Sequence, residues 1–508
     1  MHSSLLWDCL RLQVLSAWLP GCFSYPPTHS SSLNRTDSIS FKQLHRFREN
    51  YLYELMTDIA NMKMTPRHYY IVFVASLGQM IGTSVATLAG IIIPMLNIIQ
   101  HPELSSFMQG LIGAADLIGI IFGSVIFGRL SDRYGYLFFF RFCPALILVA
   151  SIAGILFPSV ATLTICLFLI GMGIGGEYSL DSDYISELMP ARYRSLMVGV
   201  AKAGCALGNI LVAAICFGLL SYWKSAELWP DLLWIVAITA ALMILLRIRF
   251  YQSPKWLMDK GRVTDAEDAA RKFFGPDASI ACDSDAGSHD RPDTKISMPR
   301  FIMENWRKVV LSGIPWACEG MGVYGIGVFL PILVMALGLE HFSPGENPIL
   351  HVTDSVRITL WISCIILPGF LIGLYLINRK HNIINIQTRG FWMCALALGI
   401  LQLSYHFSWN KWISIGSFMA FELFLNIGPH LITYVLPPTI YPVDSRGQGV
   451  GIAASIGKIG AVAGVFVIPV LLKSGGAATV LAVSAIVMAV GALVTKGFSK
   501  ASDLNSGT

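Results

Sequence analysis

Charged side chains are scarce in this chain of 508 residues, at 13% against 54% apolar. A soluble globular domain carries about a quarter, so a wholly water-facing surface is excluded. Cysteine pairing is also missing. The ten cysteines stand singly, with no C-x-x-C, and this argues against a disulfide frame or a zinc site. Cys143, Cys166, Cys205, Cys216, Cys318, Cys364 and Cys394 fall inside apolar runs and read as small core residues. No H-E-x-x-H and no serine-nucleophile elbow occurs. Gly451 to Lys458 superficially looks like a phosphate loop, but its glycine spacing is one residue too long and Ile459 stands where Ser or Thr is needed. Neither an enzyme, a metal nor a cofactor is expected, and the energy for any work must come from a gradient. A basic face with interleaved aromatics is lacking outside the apolar runs, which excludes nucleic acid as a partner.

Long apolar runs are abundant instead. A membrane span needs about 20 mostly apolar residues, and twelve such runs are read near 69–98, 106–127, 137–157, 161–187, 196–222, 228–250, 309–338, 355–377, 388–407, 412–440, 448–472 and 478–498. They are numbered here as spans 1 to 12. Runs this long and this rich in Gly and Ala satisfy their backbone groups in lipid as helices, not as barrel strands. The expected fold class is an all-α membrane protein of twelve transmembrane helices in two pseudo-symmetric six-helix bundles. With the N-terminus inside, the short inner loops hold Arg129, Arg133, Arg192, Arg194, Arg379, Lys380, Arg389 and Arg446, and the outer loops only Lys224, Lys411 and Lys473. That asymmetry places both termini in the cytoplasm. Residues 1–68 read as a cytoplasmic tail or as the product of an upstream start, with Met56, Met62 or Met64 as alternative first residues; Leu5–Leu19 is too short and too charged to span.

The organisation expected is an N-terminal bundle over 69–250, a cytoplasmic middle loop over 251–308, a C-terminal bundle over 309–498 and a tail over 499–508. The loop's centre, Gly275–Arg300, is rich in Asp, Ser, Gly and Pro and is expected to be disordered. Thr264-x-x-Glu267 fits a capping box opening a surface helix over Asp265–Phe274. The halves repeat: Pro190-Ala-Arg-Tyr-Arg194 precedes Val198-Gly199-Val200-Ala201, and Pro442-Val-Asp-Ser-Arg446 precedes Val450-Gly451-Ile452-Ala453 at a constant offset. Two halves about a central axis are what rocking transporters use.

An ionisable side chain at the bilayer centre costs several kcal/mol, roughly 3 on the gentlest scales, and is a functional candidate by default. Asp116, Glu177, Glu319, Glu422 and Lys458 each fall about ten residues, or ~15 Å, from a helix end. They describe one polar chamber between the halves. Low dielectric favours the neutral form of a carboxyl, so protonation becomes a condition for binding an anion at Lys458, and a symport cycle follows. Lys202 lies nearer the cytoplasmic end of span 5 and is expected to snorkel. Trp316-x-x-x-Gly320-x-x-x-Tyr324 puts two hydrogen-bond donors and a gap on one face of span 7.

These residues resemble the major facilitator superfamily over about 69–498. Gly128-Arg-Leu-Ser-Asp132-Arg133-Tyr-Gly135 looks like its signature loop, whose Asp and Arg latch the cytoplasmic side; Tyr136 and Leu137 replace the basic pair that usually follows. The chain is similar to the phosphate:proton symporters through Gly173-Ile-Gly-Gly-Glu177-Tyr178-Ser-Leu180, Ile427-Gly428-Pro429-His430 and Ser455-Ile-Gly457-Lys458-Ile-Gly460-Ala461. It is similar to the sugar porters through Ser253-Pro254-Lys255-Trp256-Leu257 and Tyr184-Ile-Ser-Glu187-Leu-Met-Pro190. The resemblance implies Tyr178, Trp316, Tyr324 and Lys458 at the substrate and Glu177 on the proton path. Asp116, Glu319, Glu422 and Asp181 join the proton-coupling candidates. Gly128, Asp132, Arg133, Glu187, Arg194 and Arg446 are the candidate cytoplasmic gate. The phosphate family's carboxylates in span 1 have no counterpart, Gly82 and Val85 standing near those positions.

The function expected is secondary active transport, a proton-coupled symport of phosphate or another small anion by a monomer in lipid. The alternatives are a neutral sugar or polyol porter and a non-transporting nutrient sensor.

Overall fold

The computed structural model describes residues 64–190, 193–260, 262–274, 298–340, 347–379, 381–441 and 446–501, all within one compact unit, Arg48–Thr508. Among the described residues there are helices and no strands. Eleven of the helices are long and apolar enough to cross a membrane, by length and composition. The last of these, Gly449–Gly497, runs 49 residues, about twice what a span needs. Gly476 divides it with φ 69°, a left-handed conformation open to glycine at little cost. Spans 11 and 12 are therefore its two parts, and the total is twelve.

Polar caps set where several spans begin. The side-chain oxygens of Ser105, Ser159, Asn347, Asn382 and Asn410 accept from backbone N–H groups that the first turn of each helix leaves unpaired. A short polar helix precedes span 7. It runs from Met298 to a kink at Asn305 (φ −114°, ψ 18°), and the helix of the span follows close to where its hydropathy places it. Farther along, the hydrogen-bond ladder slips over Met321–Ile326 into a π-helical stretch. Such bulges are often found at functional sites, and this one carries Tyr324. The surface helix of the middle loop runs Val263–Phe274. Thr264 is thus inside the first turn and is not its cap; Arg262 pairs with Asp265 at 2.6 Å instead. The centre of that loop, 275–297, and residues 1–63 lie outside the described residues, as do the expectations placed on them.

The repeat reappears in how helices touch. Gly119 and Gly123 of span 2 press on the Phe168 and Met172 carbonyls of span 4, where a Cβ would not fit. In the second half Gly369 and Gly373 of span 8 press in the same way on the Leu423 and Ile427 carbonyls of span 10. Gly204 and Gly208 of span 5 seat on span 1 at Ser76 and Met80, and Gly460 and Gly464 of span 11 on span 7 at Ala317 and Met321. Small residues four apart let backbones approach within a membrane, where van der Waals packing replaces the hydrophobic effect. The halves meet at Gly90 of span 1 against the Val328 carbonyl, and at Gly113 of span 2 against Val465 and Phe329.

Candidate functional site

Lys202 of span 5 and Lys458 of span 11 come from opposite halves and point at the same ring. Their ammonium nitrogens lie 5.3 Å and 5.5 Å from the centroid of Tyr178 in span 4. Lys458 also donates to the Tyr324 hydroxyl at 3.2 Å and sits 4.5 Å from that ring. Lys202 donates to Gln79 Oε1 at 3.5 Å and lies 5.7 Å from the Tyr434 ring, onto which Trp316 packs edge-on at 6.3 Å. Lys202 is buried at 9% exposure, so it does not snorkel as its position in the sequence suggests. Among the described residues no carboxylate oxygen lies within 4.0 Å of either ammonium. The carboxyls whose charge reaches Lys458 are Asp116 and Glu319, and Glu319 also acts on Lys202.

Tyr178 owes its place to a missing side chain. Its hydroxyl fills the space a Cβ at Gly82 would take. The residue that stands near the phosphate family's span 1 carboxylate is thus the one that admits the tyrosine.

A second charged group is closed on itself. Arg247, at the end of span 6, is fully buried and holds Glu177 Oε2 at 2.5 Å and Asp181 Oδ1 at 3.1 Å. It donates to the Phe140 carbonyl at 3.3 Å and lies 4.8 Å from the Phe140 ring. Glu177 and Asp181 are one helical turn apart on span 4, and Gly78 of span 1 packs against both. The structure therefore does not bring Glu177 and Asp181 to the lysine pair. Sequence reasoning missed Arg247 altogether. The two acids four residues apart were the signal that a cation had to answer them.

Beside the lysine pair lies a cavity lined by residues of both halves. Thr83 and Thr87 of span 1, Asn209 of span 5, Thr359 and Ser363 of span 8 and Tyr324 supply polar atoms to it. Glu422, Asn426 and His430 of span 10 form another wall. Asn426 was not singled out in the sequence and His430 entered only through the Ile427-Gly428-Pro429-His430 motif, although successive spacings of four residues from Glu422 put all three on one face. Glu319 of span 7 is 3.8 Å from His430 Nε2. Asp116 is fully buried in span 2, its Oδ1 accepting from the Leu117 amide at 2.8 Å.

Of the gate candidates, Gly128 contacts Ser179 of span 4, and Arg133 is exposed and rests on the Tyr134 ring at 5.4 Å. The side chains of Asp132, Glu187, Arg194 and Arg446 lie outside the described residues. Among the described residues no group of three His, Cys, Asp or Glu side chains is suited to hold a metal ion.

The model of the sugar (and other) transporter family matches residues 49–502, nearly the whole chain. The chain belongs to this family. It is a secondary transporter of the major facilitator superfamily, not an enzyme. Similar proteins include the inner membrane metabolite transport protein YgcS of Escherichia coli, 26% identical over 394 residues, covering 77% of this chain and 83% of that protein. A putative inorganic phosphate transporter of rice is 24% identical, covering 80% and 84%. The niacin transporter NiaP of Acinetobacter baylyi is 22% identical, covering 82% and 90%. The xylose transporter XylE from E. coli, in a partially occluded inward-open conformation, superposes with a TM-score of 0.69 at 18% identity, over 85% of this chain and 98% of that one. The shared fold is the twelve-helix arrangement described above.

Proposed function

We propose that this transporter carries a small anion in symport with protons, and that the anion binds between Lys202 and Lys458. One observation carries the reading: two ammonium groups from opposite halves face a single tyrosine ring with no carboxylate in contact. A charge out of water is costly unless it is paired, and two like charges sharing a ring repel. An anion between them answers both at once and ties the N-terminal half to the C-terminal half, as alternating access requires. Tyr178, Tyr324, Tyr434 and Trp316 frame the site with ring faces and hydroxyls. Phosphate and niacin, named for two relatives, are both anions in neutral water.

Asp116 and Glu319 are the proton carriers in this reading, because among the described residues they are the carboxyls that act on Lys458 from a distance without contacting it. When both are charged they hold the lysines, and when protonated they release them to the substrate. Glu177 and Asp181, bound to Arg247, serve instead to fix span 4 to span 6. The basic loops put both termini in the cytoplasm, with Gly128, Asp132, Arg133, Glu187, Arg194 and Arg446 at the inner gate of a monomer.

A neutral sugar or polyol is the second reading, favoured by the hydroxyl and amide lining of the cavity at Thr83, Thr87, Asn209, Thr359 and Ser363. Uptake into proteoliposomes under an imposed pH gradient separates the two. Phosphate, carboxylates and sugars are offered to the wild type and to Lys458→Ala. The anion reading expects one or more anions to accumulate and Lys458→Ala to lower that uptake roughly hundredfold. Accumulation of a sugar alone, indifferent to Lys458→Ala, overturns it.

A further inference from the structure

His430, Asn426 and Glu422 form a ladder up one face of span 10. Asn426 Nδ2 donates to the Glu422 carbonyl at 2.7 Å and to Glu422 Oε2 at 3.3 Å. Its Oδ1 lies 2.9 Å from His430 Nδ1. With the amide nitrogen committed to Glu422, the amide oxygen must accept, so His430 Nδ1 carries the hydrogen. Neutral His430 then presents its lone pair on Nε2, and that nitrogen faces Glu319 Oε1 across the gap to span 7 at 3.8 Å. The ring rests on Phe370 of span 8 at 5.1 Å. The charged groups around it are Glu422 on its own helix, Glu319 on span 7, Lys202 on span 5 and Lys458 on span 11. His430 lines the cavity, whereas Glu319 is buried behind it at 2% exposure.

We propose that His430 is a proton shuttle between the cavity and Glu319, with Asn426 as the residue that positions it. In the step, Nε2 takes a proton from a hydronium ion that has entered the cavity, leaving a neutral water there, and the ring becomes an imidazolium with hydrogens on both nitrogens. The Glu319 carboxylate then takes the proton from Nε2, and the Nδ1–H tautomer returns. Only N–H and O–H bonds form and break. Protonated Glu319 has lost its attraction for Lys202 and Lys458, and the ammonium groups are left to the substrate. That last consequence rests on the anion reading; the proton step does not.

The test needs no substrate. Infrared spectra of the purified protein in lipid are recorded as the buffer pH is stepped. The wild type is expected to lose a protonated-carboxyl band that Glu319→Gln removes, together with a change in an imidazole mode that His430→Gln removes, both along one shared transition. In His430→Gln the midpoint of the Glu319 band is expected to move by about one pH unit or more. Asn426→Leu should convert the imidazole mode from the Nδ1–H form to a mixture of tautomers. An unmoved Glu319 band in His430→Gln, or no titrating Glu319 band at any pH, overturns the shuttle. Should His430→Gln not fold, the wild type still decides, because independent carboxyl and imidazole transitions overturn it as well. Loss of anion uptake in Lys458→Ala, or its absence, leaves this result untouched, so the two proposals fail separately.

Discussion

Two charged clusters lie in the interior of this transporter, and they are built on opposite plans. In the first, Arg247, Glu177 and Asp181 contact one another directly, within the N-terminal half. In the second, Lys202 and Lys458 belong to different halves and have aromatic rings where carboxylates would be expected. The helices involved overlap, and Glu177 and Tyr178 are adjacent in sequence. Depth in the membrane does not separate the two clusters; direct pairing to a carboxylate does. A closed cluster contributes to holding spans together. An open one leaves its charge to be answered, in the proposal made above, by a ligand.

The largest effect should come from breaking the closed cluster. Arg247→Leu leaves two carboxylates unpaired in the core and is expected to destabilise the protein by about 3–5 kcal/mol, seen as loss of monodisperse protein in detergent. The combined Arg247→Met, Glu177→Gln, Asp181→Asn variant should recover stability to within about 1 kcal/mol. Failure of that rescue would mean that the triad does more than hold helices.

Next in size, Lys458→Ala should lower anion uptake roughly hundredfold, the range for removing one partner of a buried charged contact, with little change in melting temperature. A stability loss matching that of Arg247→Leu would erase the distinction between the clusters. Gly82→Ala sharpens it more finely. The added methyl meets the Tyr178 hydroxyl, an overpacking cost of about 1–3 kcal/mol, and should weaken uptake about tenfold in protein that still folds. The smallest effect belongs to Arg262→Ala. Its pair with Asp265 is about half exposed on both sides, and thermal unfolding should shift by less than about 0.5 kcal/mol.

Much of the scaffold was legible because lipid imposes a simple rule on length and hydropathy, and the P-x-x-x-R repeats at Pro190 and Pro442 announced the duplication. What escaped was local backbone behaviour. The π stretch at Met321–Ile326 leaves no mark on a hydropathy profile. For the site, charges could be placed by depth but not by azimuth. Asp116 and Glu319 come within electrostatic reach of Lys458, whereas Glu177 turns toward Arg247. Lys202 was misjudged because its distance from the helix end suggested water, while the Tyr178 and Tyr434 rings close over it. Sugar-porter and phosphate-symporter motifs occur together in the chain, and they speak to gating and to the pocket separately.

The central claim is that an anion completes the Lys202–Lys458 pair. Its most direct test is the melting temperature of the purified protein titrated with phosphate, small carboxylates and neutral sugars, since a ligand that binds only the folded state stabilises it in a saturable way. The account predicts saturable stabilisation of the wild type by an anion, lost in both Lys202→Ala and Lys458→Ala. Stabilisation by a neutral sugar, unchanged in both variants and unmatched by any anion, would contradict it.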